Sequence, residues 1–271
     1  MKNRFVFPTL FSVLFAFSVD AYAVKDKIVL TGSSTVAPLA SEIAKRFESK
    51  HPGIRVDVQT GGSSRGIADA RQELADLGMV SRALKPDEKD FMAFTIATDG
   101  ICIIVHQSNP ISKLEDQQIV DIYTGKVNNW KQVGGKDAPI TVVNKADGRS
   151  TLELFLLHFK LKAPDVKASV VIGDNQQGIK TVAGNLNSIG YVSIGSAEYD
   201  SGAGVPIKLL PVGGIAATIA NVKSGKFPLS RPLNLVTKIK PEGIVKEFLD
   251  FAQSKDVNDI VKEQFFVSVA Q

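Results

Sequence analysis

Three times along this chain an apolar strand-like run ends in a cluster of Gly, Ser and Thr, and an apolar stripe at helical spacing follows. Lys27 to Leu30 leads into Thr31-Gly32-Ser33-Ser34-Thr35, after which Val36, Leu39, Ala40, Ile43, Ala44 and Phe47 recur on one helical face. Ile54 to Gln59 alternates apolar and polar residues and leads into Gly61-Gly62-Ser63-Ser64-Arg65-Gly66, with a helix expected from Ile67 to Leu74. Ile140 to Asn144 leads into Asp147-Gly148-Arg149-Ser150-Thr151, followed by Leu152, Phe155, Leu156 and Phe159 on one face. Leu77 to Val80, Gly100 to His106 and Ile189 to Ile194 read as further strands. Ile179, Val182, Ala183 and Leu186 mark another helix, and Ser112 with Glu115 has capping-box spacing ahead of a helix ending near Gly125. Strands alternating with helices predict an α/β fold with mostly parallel, doubly wound sheets.

The junctions carry the chemistry. The first turn of a helix leaves backbone N–H groups unpaired, and the helix dipole makes that end positive. Glycine allows close approach, hydroxyls add donors, and an anion fits such an end. Ser and Thr are also ordinary N-caps, so one junction alone argues for capping. Three junctions, two of them beside an arginine, argue for a shared anion site, because parallel sheets gather these loops at the carboxyl ends of their strands.

Several function classes are disfavoured. The formal charge is +4 and the pI about 9.0, but Lys and Arg are spread along the chain rather than clustered as a nucleic-acid footprint. Gly62-x-Ser64-x-Gly66 matches a hydrolase nucleophile elbow, which also needs a downstream acid and then a histidine. Only His51, His106 and His158 are present, and none has an acidic partner at a telling spacing. No His, Asp and Glu set has metal-ligand spacing, and residues 173 to 180 lack the Gly-Lys-Ser/Thr ending of a phosphate-binding loop. No catalytic residue, metal or cofactor is therefore expected. The single Cys102 lies in an apolar strand and is expected to be buried and inert.

The N-terminus reads as an export signal. Lys2 and Arg4 precede an apolar stretch from Phe5 to Val19, and Ala21-Tyr22-Ala23 has the small-x-small pattern of a cleavage site. The stretch is shorter than the ~20 residues a spanning helix needs. Cleavage after Ala23, release into the periplasm without a lipid anchor, and a monomeric state are expected.

At this point the motifs match a family. Gly32-Ser33-Ser34-Thr35-Val36-Ala37-Pro38-Leu39, Gly62-Ser63-Ser64-Arg65-Gly66-Ile67 and Asp76-Leu77-Gly78-Met79-Val80-Ser81-Arg82 resemble, in order, the periplasmic phosphate-binding proteins of bacterial phosphate ABC transporters. The match continues with Asp121-Ile122-Tyr123-Thr124-Gly125-Lys126, Asn129-Trp130, Asp147 to Thr151, Ser188-Ile189-Gly190-Tyr191-Val192 and Ser230-Arg231-Pro232-Leu233. The resemblance implies a two-lobed type II periplasmic-binding-protein fold with the ligand in the cleft, each lobe a mostly parallel sheet flanked by helices. It places lobe 1 at residues 24–105 plus about 226–271, and lobe 2 at about 106–225. It implies capture of inorganic phosphate and delivery to membrane ABC permease subunits; another oxyanion such as sulfate or molybdate is the alternative. The implied ligand contacts are Ser33, Ser34, Thr35, Ser63, Ser64, Ser150 and Thr151, with Asp147 orienting the site. Lys145 stands where many relatives have an arginine, Arg149 where serine is common, and Arg82 where some relatives have an aspartate. Arg82 and Arg149 suit bidentate pairing with an anion. With arginine at 82, the carboxylate that would accept a phosphate proton is expected at Asp99 or Asp147.

Overall fold

A computed structural model describes residues 26–269, so the expected signal segment and cleavage site lie outside the described residues. β1 (Asp26–Gly32) is buried from Leu30 onward and hands over to α1 (Ala37–Lys50), whose six apolar positions from Ala37 to Phe47 all face the core. β2 (Ile54–Thr60), α2 (Ser63–Arg71) and β3 (Leu77–Val80) complete a parallel β2–β1–β3 array. α2 begins four residues before the expected Ile67 and ends three residues before Leu74, which is 65% exposed. Ser63, Ser64 and Gly66 are weak helix formers that read as loop, and tertiary packing overrides them.

β4 (Met92–His106) is a single 15-residue strand serving two sheets. Its first part pairs antiparallel with a later strand. Ile101 to His106 pairs with two others. α3 (Asp116–Tyr123) is capped by Glu115 and Gln118 rather than by Ser112 and Glu115, because the helix starts one residue after Glu115. β5 (Thr141–Lys145), α4 (Ser150–His158), β6 (Val170–Ile172), α5 (Asn175–Ala183), β7 (Ser188–Ser193), α6 (Ile194–Gly202), β8 (Ile207–Leu210) and α7 (Ile219–Lys223) follow. β9 (Ser230–Thr237) returns between β3 and β4, and α8 (Gly243–Ala252), α9 (Asn258–Glu263) and β10 (Val267–Ser268) close the described chain.

The strand order β2-β1-β3-β9-β4-β7-β5-β6 is one curled path with two large hydrophobic cores and a small third cluster of Ile67, Ala70, Val80, Phe91 and Val236. One core gathers residues from Ile28 to Ala97 and from Leu233 to Phe266; the other runs from Ile101 to Leu229. The chain therefore passes between cores at two places, in β4 after Ala97 and before β9 reaches Leu233. These crossings are adjacent, since Asp99 pairs with Arg231 and Gly100 with Ser230 in register. Cys102 is fully buried in the second core, and desolvation pushes its thiol well above the usual range.

No helix among the described residues is long and apolar enough to cross a membrane.

Candidate functional site

The three Gly/Ser/Thr junctions converge. Ser33, Ser34, Thr35 and Ser63 from the first lobe, with Ser81 after β3, face Arg149, Ser150 and Thr151 from the second around one small pocket. α1, α2 and α4 start at Val36, Gly62 and Arg149, and none of these N-cap side chains caps its helix. By contrast α5, α6 and α7 are capped by the side chains of Asp174, Ser193 and Thr218. Capping therefore explains only Ser33, whose hydroxyl accepts from the first turn before α1. All three helices point their positive ends at the pocket.

The hydroxyls are oriented by what they accept. Ser33 Oγ accepts from the Thr35 and Val36 backbone N–H groups at 3.2 and 3.3 Å and donates to Ser81 Oγ at 3.0 Å. Arg231 Nη1 also donates to Ser81 Oγ at 3.4 Å, so both lone pairs of that hydroxyl are engaged. Thr35 Oγ1 accepts from Asn175 Nδ2 at 3.1 Å and from Arg231 Nη2 at 3.3 Å. Thr151 Oγ1 accepts from Arg231 Nη1 at 2.9 Å, and Ser63 Oγ from the Ser81 N–H at 3.2 Å. Ser33 spends its hydrogen on Ser81, and the hydroxyls of Ser81, Thr35, Thr151 and Ser63 each have a hydrogen left to give, all four residues lining the pocket. Ser150 Oγ and Arg149 Nε are buried without a protein partner, and of the described buried side chains with such an unpartnered atom only these two line the pocket.

Arg231 is the residue the sequence motif contained but did not reveal as part of the site. Its side chain is among the largest fully buried ones. Asp99 Oδ2 accepts from its Nε at 3.1 Å and its Nη2 at 2.9 Å. The two lie opposite each other on β4 and β9 but 132 positions apart in sequence, so residue spacing gives no hint of the pair. Behind Thr35 lies a second buried cation. Lys145 Nζ donates to Asn175 Oδ1 at 3.1 Å. Burial pushes its ammonium down to about 7; Asp174 opposes this, while Arg231 and Arg149 add to it.

Four of the expected ligand residues are placed elsewhere. Arg82 is buried, but its guanidinium is taken by carboxylates: Nη1 and Nη2 donate to Glu88 at 2.7 and 2.8 Å, and Nε lies 2.8 Å from Glu153 Oε2, an ion-pair contact outside hydrogen-bond geometry. Ser64 Oγ donates to Glu153 Oε1 at 3.3 Å instead of lining the pocket. Asp99 is fully buried and holds Arg231 and the Gly195 N–H, so it positions a cation rather than receiving a ligand proton. Asp147 is exposed on the turn before Arg149 and does not line the pocket. Of the three histidines, His51 stacks on Phe47, His106 accepts from the Ser108 N–H, and His158 is 3.8 Å from Asp116. Ser64 thus has a glutamate, not a histidine, as its side-chain partner. Among the described residues no group of His, Cys, Asp and Glu is arranged to hold a metal ion.

The PBP superfamily domain matches residues 21–256. The Bacillus subtilis phosphate-binding protein PstS is 26% identical over 247 residues, covering 89% of this chain and 80% of that protein. A crystal structure of a phosphate ABC transporter substrate-binding protein from Clostridium perfringens with bound phosphate superposes with a TM-score of 0.82 at 34% identity, covering 90% of this chain and 99% of that one. An ABC-type phosphate transport receptor from Vibrio cholerae gives a TM-score of 0.73 at 31% identity, covering 89% and 99%.

Proposed function

The chain belongs to the PBP superfamily and, within it, to the substrate-binding proteins of phosphate ABC transporters, and we propose that it captures inorganic phosphate between its lobes for delivery to a membrane permease. The observation that carries this reading is the ring of donors. Three helix N-termini, four hydroxyls with hydrogens to give, and the unpartnered Arg149 Nε and Ser150 Oγ surround one small pocket. A tetrahedral oxyanion offers acceptors in all directions and satisfies such a set.

The lobes, expected at residues 24–105 with about 226–271 and at about 106–225, join at the β4 and β9 crossings, which the two cores put after Ala97 and before Leu233. The anion pairs with one lobe, and the other closes over it by rotation at these crossings. Export through the N-terminal segment places the protein in the periplasm as a monomer, and its role is binding rather than catalysis. Permease subunits, not this chain, couple transport to ATP.

A second reading, another divalent tetrahedral oxyanion, is favoured by one observation: no carboxylate is among the pocket-lining residues. A carboxylate facing the ligand would repel sulfate and accept a phosphate proton; its absence relaxes that discrimination. Calorimetric titration of ligand-stripped protein separates the two. Tight one-to-one binding of phosphate that survives excess sulfate supports the phosphate reading. Equal binding of sulfate supports the second, and no binding of either removes both.

A further inference from the structure

Outside the pocket, one carboxylate of lobe 2 receives three groups of lobe 1. Glu153 lies in the first turn of α4, the helix whose N-terminus carries Ser150 and Thr151. Its Oε2 is 2.8 Å from Arg82 Nε, and its Oε1 is 3.1 Å from Lys85 Nζ and 3.3 Å from Ser64 Oγ. Arg82 is buried, and its other edge makes a two-bond pair with Glu88, whose Oε2 also accepts the Lys85 N–H at 2.8 Å. Arg82, Lys85, Glu88 and Glu153 together carry no net charge when the lobes meet.

Parting the lobes divides this set unevenly. Lobe 1 keeps Arg82, Lys85 and Glu88, a surplus of one positive charge at the cleft rim. Lobe 2 keeps Glu153, a lone negative charge on the first turn of a helix that offers its N-terminus to an anion. An anion on open lobe 2 therefore meets a carboxylate whose charge is unanswered, and closure answers it.

We propose that Glu153 is the positioning residue that latches the closed form, coupling anion capture to lobe closure through its pairing with Arg82 and Lys85. In the open form the rim surplus on lobe 1 draws anions toward the cleft. In the closed form the same cations are spent on Glu153, so the latch shifts even the ligand-free protein part of the way toward closure, and a bound anion completes it. This rests on the two-lobe capture described above, but its central observable does not require phosphate.

The test compares the wild-type protein with Glu153→Gln and Lys85→Ala. Glutamine keeps an acceptor for Ser64, and Arg82 keeps Glu88, so neither substitution strands a buried charge. Small-angle scattering of ligand-free protein is expected to show a larger radius of gyration for E153Q than for wild type, with K85A between them. Stopped-flow release of inorganic phosphate is expected to be about tenfold faster for E153Q, because closure contacts act chiefly on dissociation. An E153Q radius equal to that of ligand-free wild type overturns the latch. Failure of the wild type to bind phosphate overturns the proposed function instead, and the scattering comparison still decides the latch.

Discussion

Lys145 shows how one residue ties this site to pH. Its ammonium sits in a buried network with Asn175 and Thr35, close enough to Arg149 and Arg231 to feel both charges, and burial holds it down at about 7. The folded chain therefore binds this proton less tightly than the unfolded chain, whose lysine titrates near 10.5. For the ligand-free protein the group disfavours folding most below pH 7, and that burden lifts as pH rises from about 7 to 10.5. An anion in the pocket acts the other way by favouring the charged amine and raising its pKa. At pH 8, where phosphate is already dianionic, binding is expected to draw a proton from solution. Titrations in two buffers of different ionisation enthalpy measure that uptake. Lys145→Arg, permanently charged, should abolish it. Equal uptake in that variant would place the proton elsewhere.

At the scale of elements, the approach of α2 to α4 decides whether the lobes can meet. Gly62 precedes α2 at φ +97°, and a Cβ there would stand 2.7 Å from the Gly148 carbonyl oxygen and 2.9 Å from Arg149 Cδ. The Ser64 N–H donates to the same carbonyl at 3.2 Å, so this contact is part of the closed arrangement. Gly62→Ala is expected to weaken phosphate binding at least about tenfold, since a side chain wedges the lobes apart. Positive φ also strains an alanine by about 1–3 kcal/mol. Gly134 provides the control, with φ +89° and nothing within 4 Å of its Cβ position. Gly134→Ala should lower the unfolding temperature without changing affinity. Comparable loss of affinity in both variants would show that strain, not the wedge, is responsible.

Elements also mark the limits of sequence reading. α1 was legible because its stripe from Val36 to Phe47 repeats at helical spacing and stays buried in the first core. The three junctions were legible because Gly, Ser and Thr cluster where strand periodicity gives way to helical periodicity. The first part of β4, Met92 to Asp99, was not: it mixes exposed and buried positions along an antiparallel strand. Arg231 and Asp99 were opaque for another reason, since each gains its role only from a partner on a distant strand. The motif around Arg82 points to a guanidinium pairing with an anion, whereas its guanidinium is taken by the carboxylates of Glu88 and Glu153. An anion and the carboxylates of Glu88 and Glu153 suit a guanidinium equally, and only the fold chooses between them.

For the whole molecule, the site is placed by the way one curled sheet is shared between two cores. β4 and β9 carry the chain from one core to the other where Asp99 meets Arg231, and Arg231 then reaches Ser81 and Thr35 of lobe 1 and Thr151 of lobe 2. The buried guanidinium that donates to three pocket-lining residues is thus fixed where the chain crosses between the cores, and helix ends from both sides meet at the pocket beside it. The central claim is that the anion lies at these helix ends, and a crystal structure with arsenate, a heavier analogue of phosphate, tests it by anomalous scattering. The account predicts one strong arsenic peak within hydrogen-bonding reach of Ser150 Oγ, Thr35 Oγ1 and the Arg149 guanidinium. A peak elsewhere in the molecule, or none at those three groups, would contradict it.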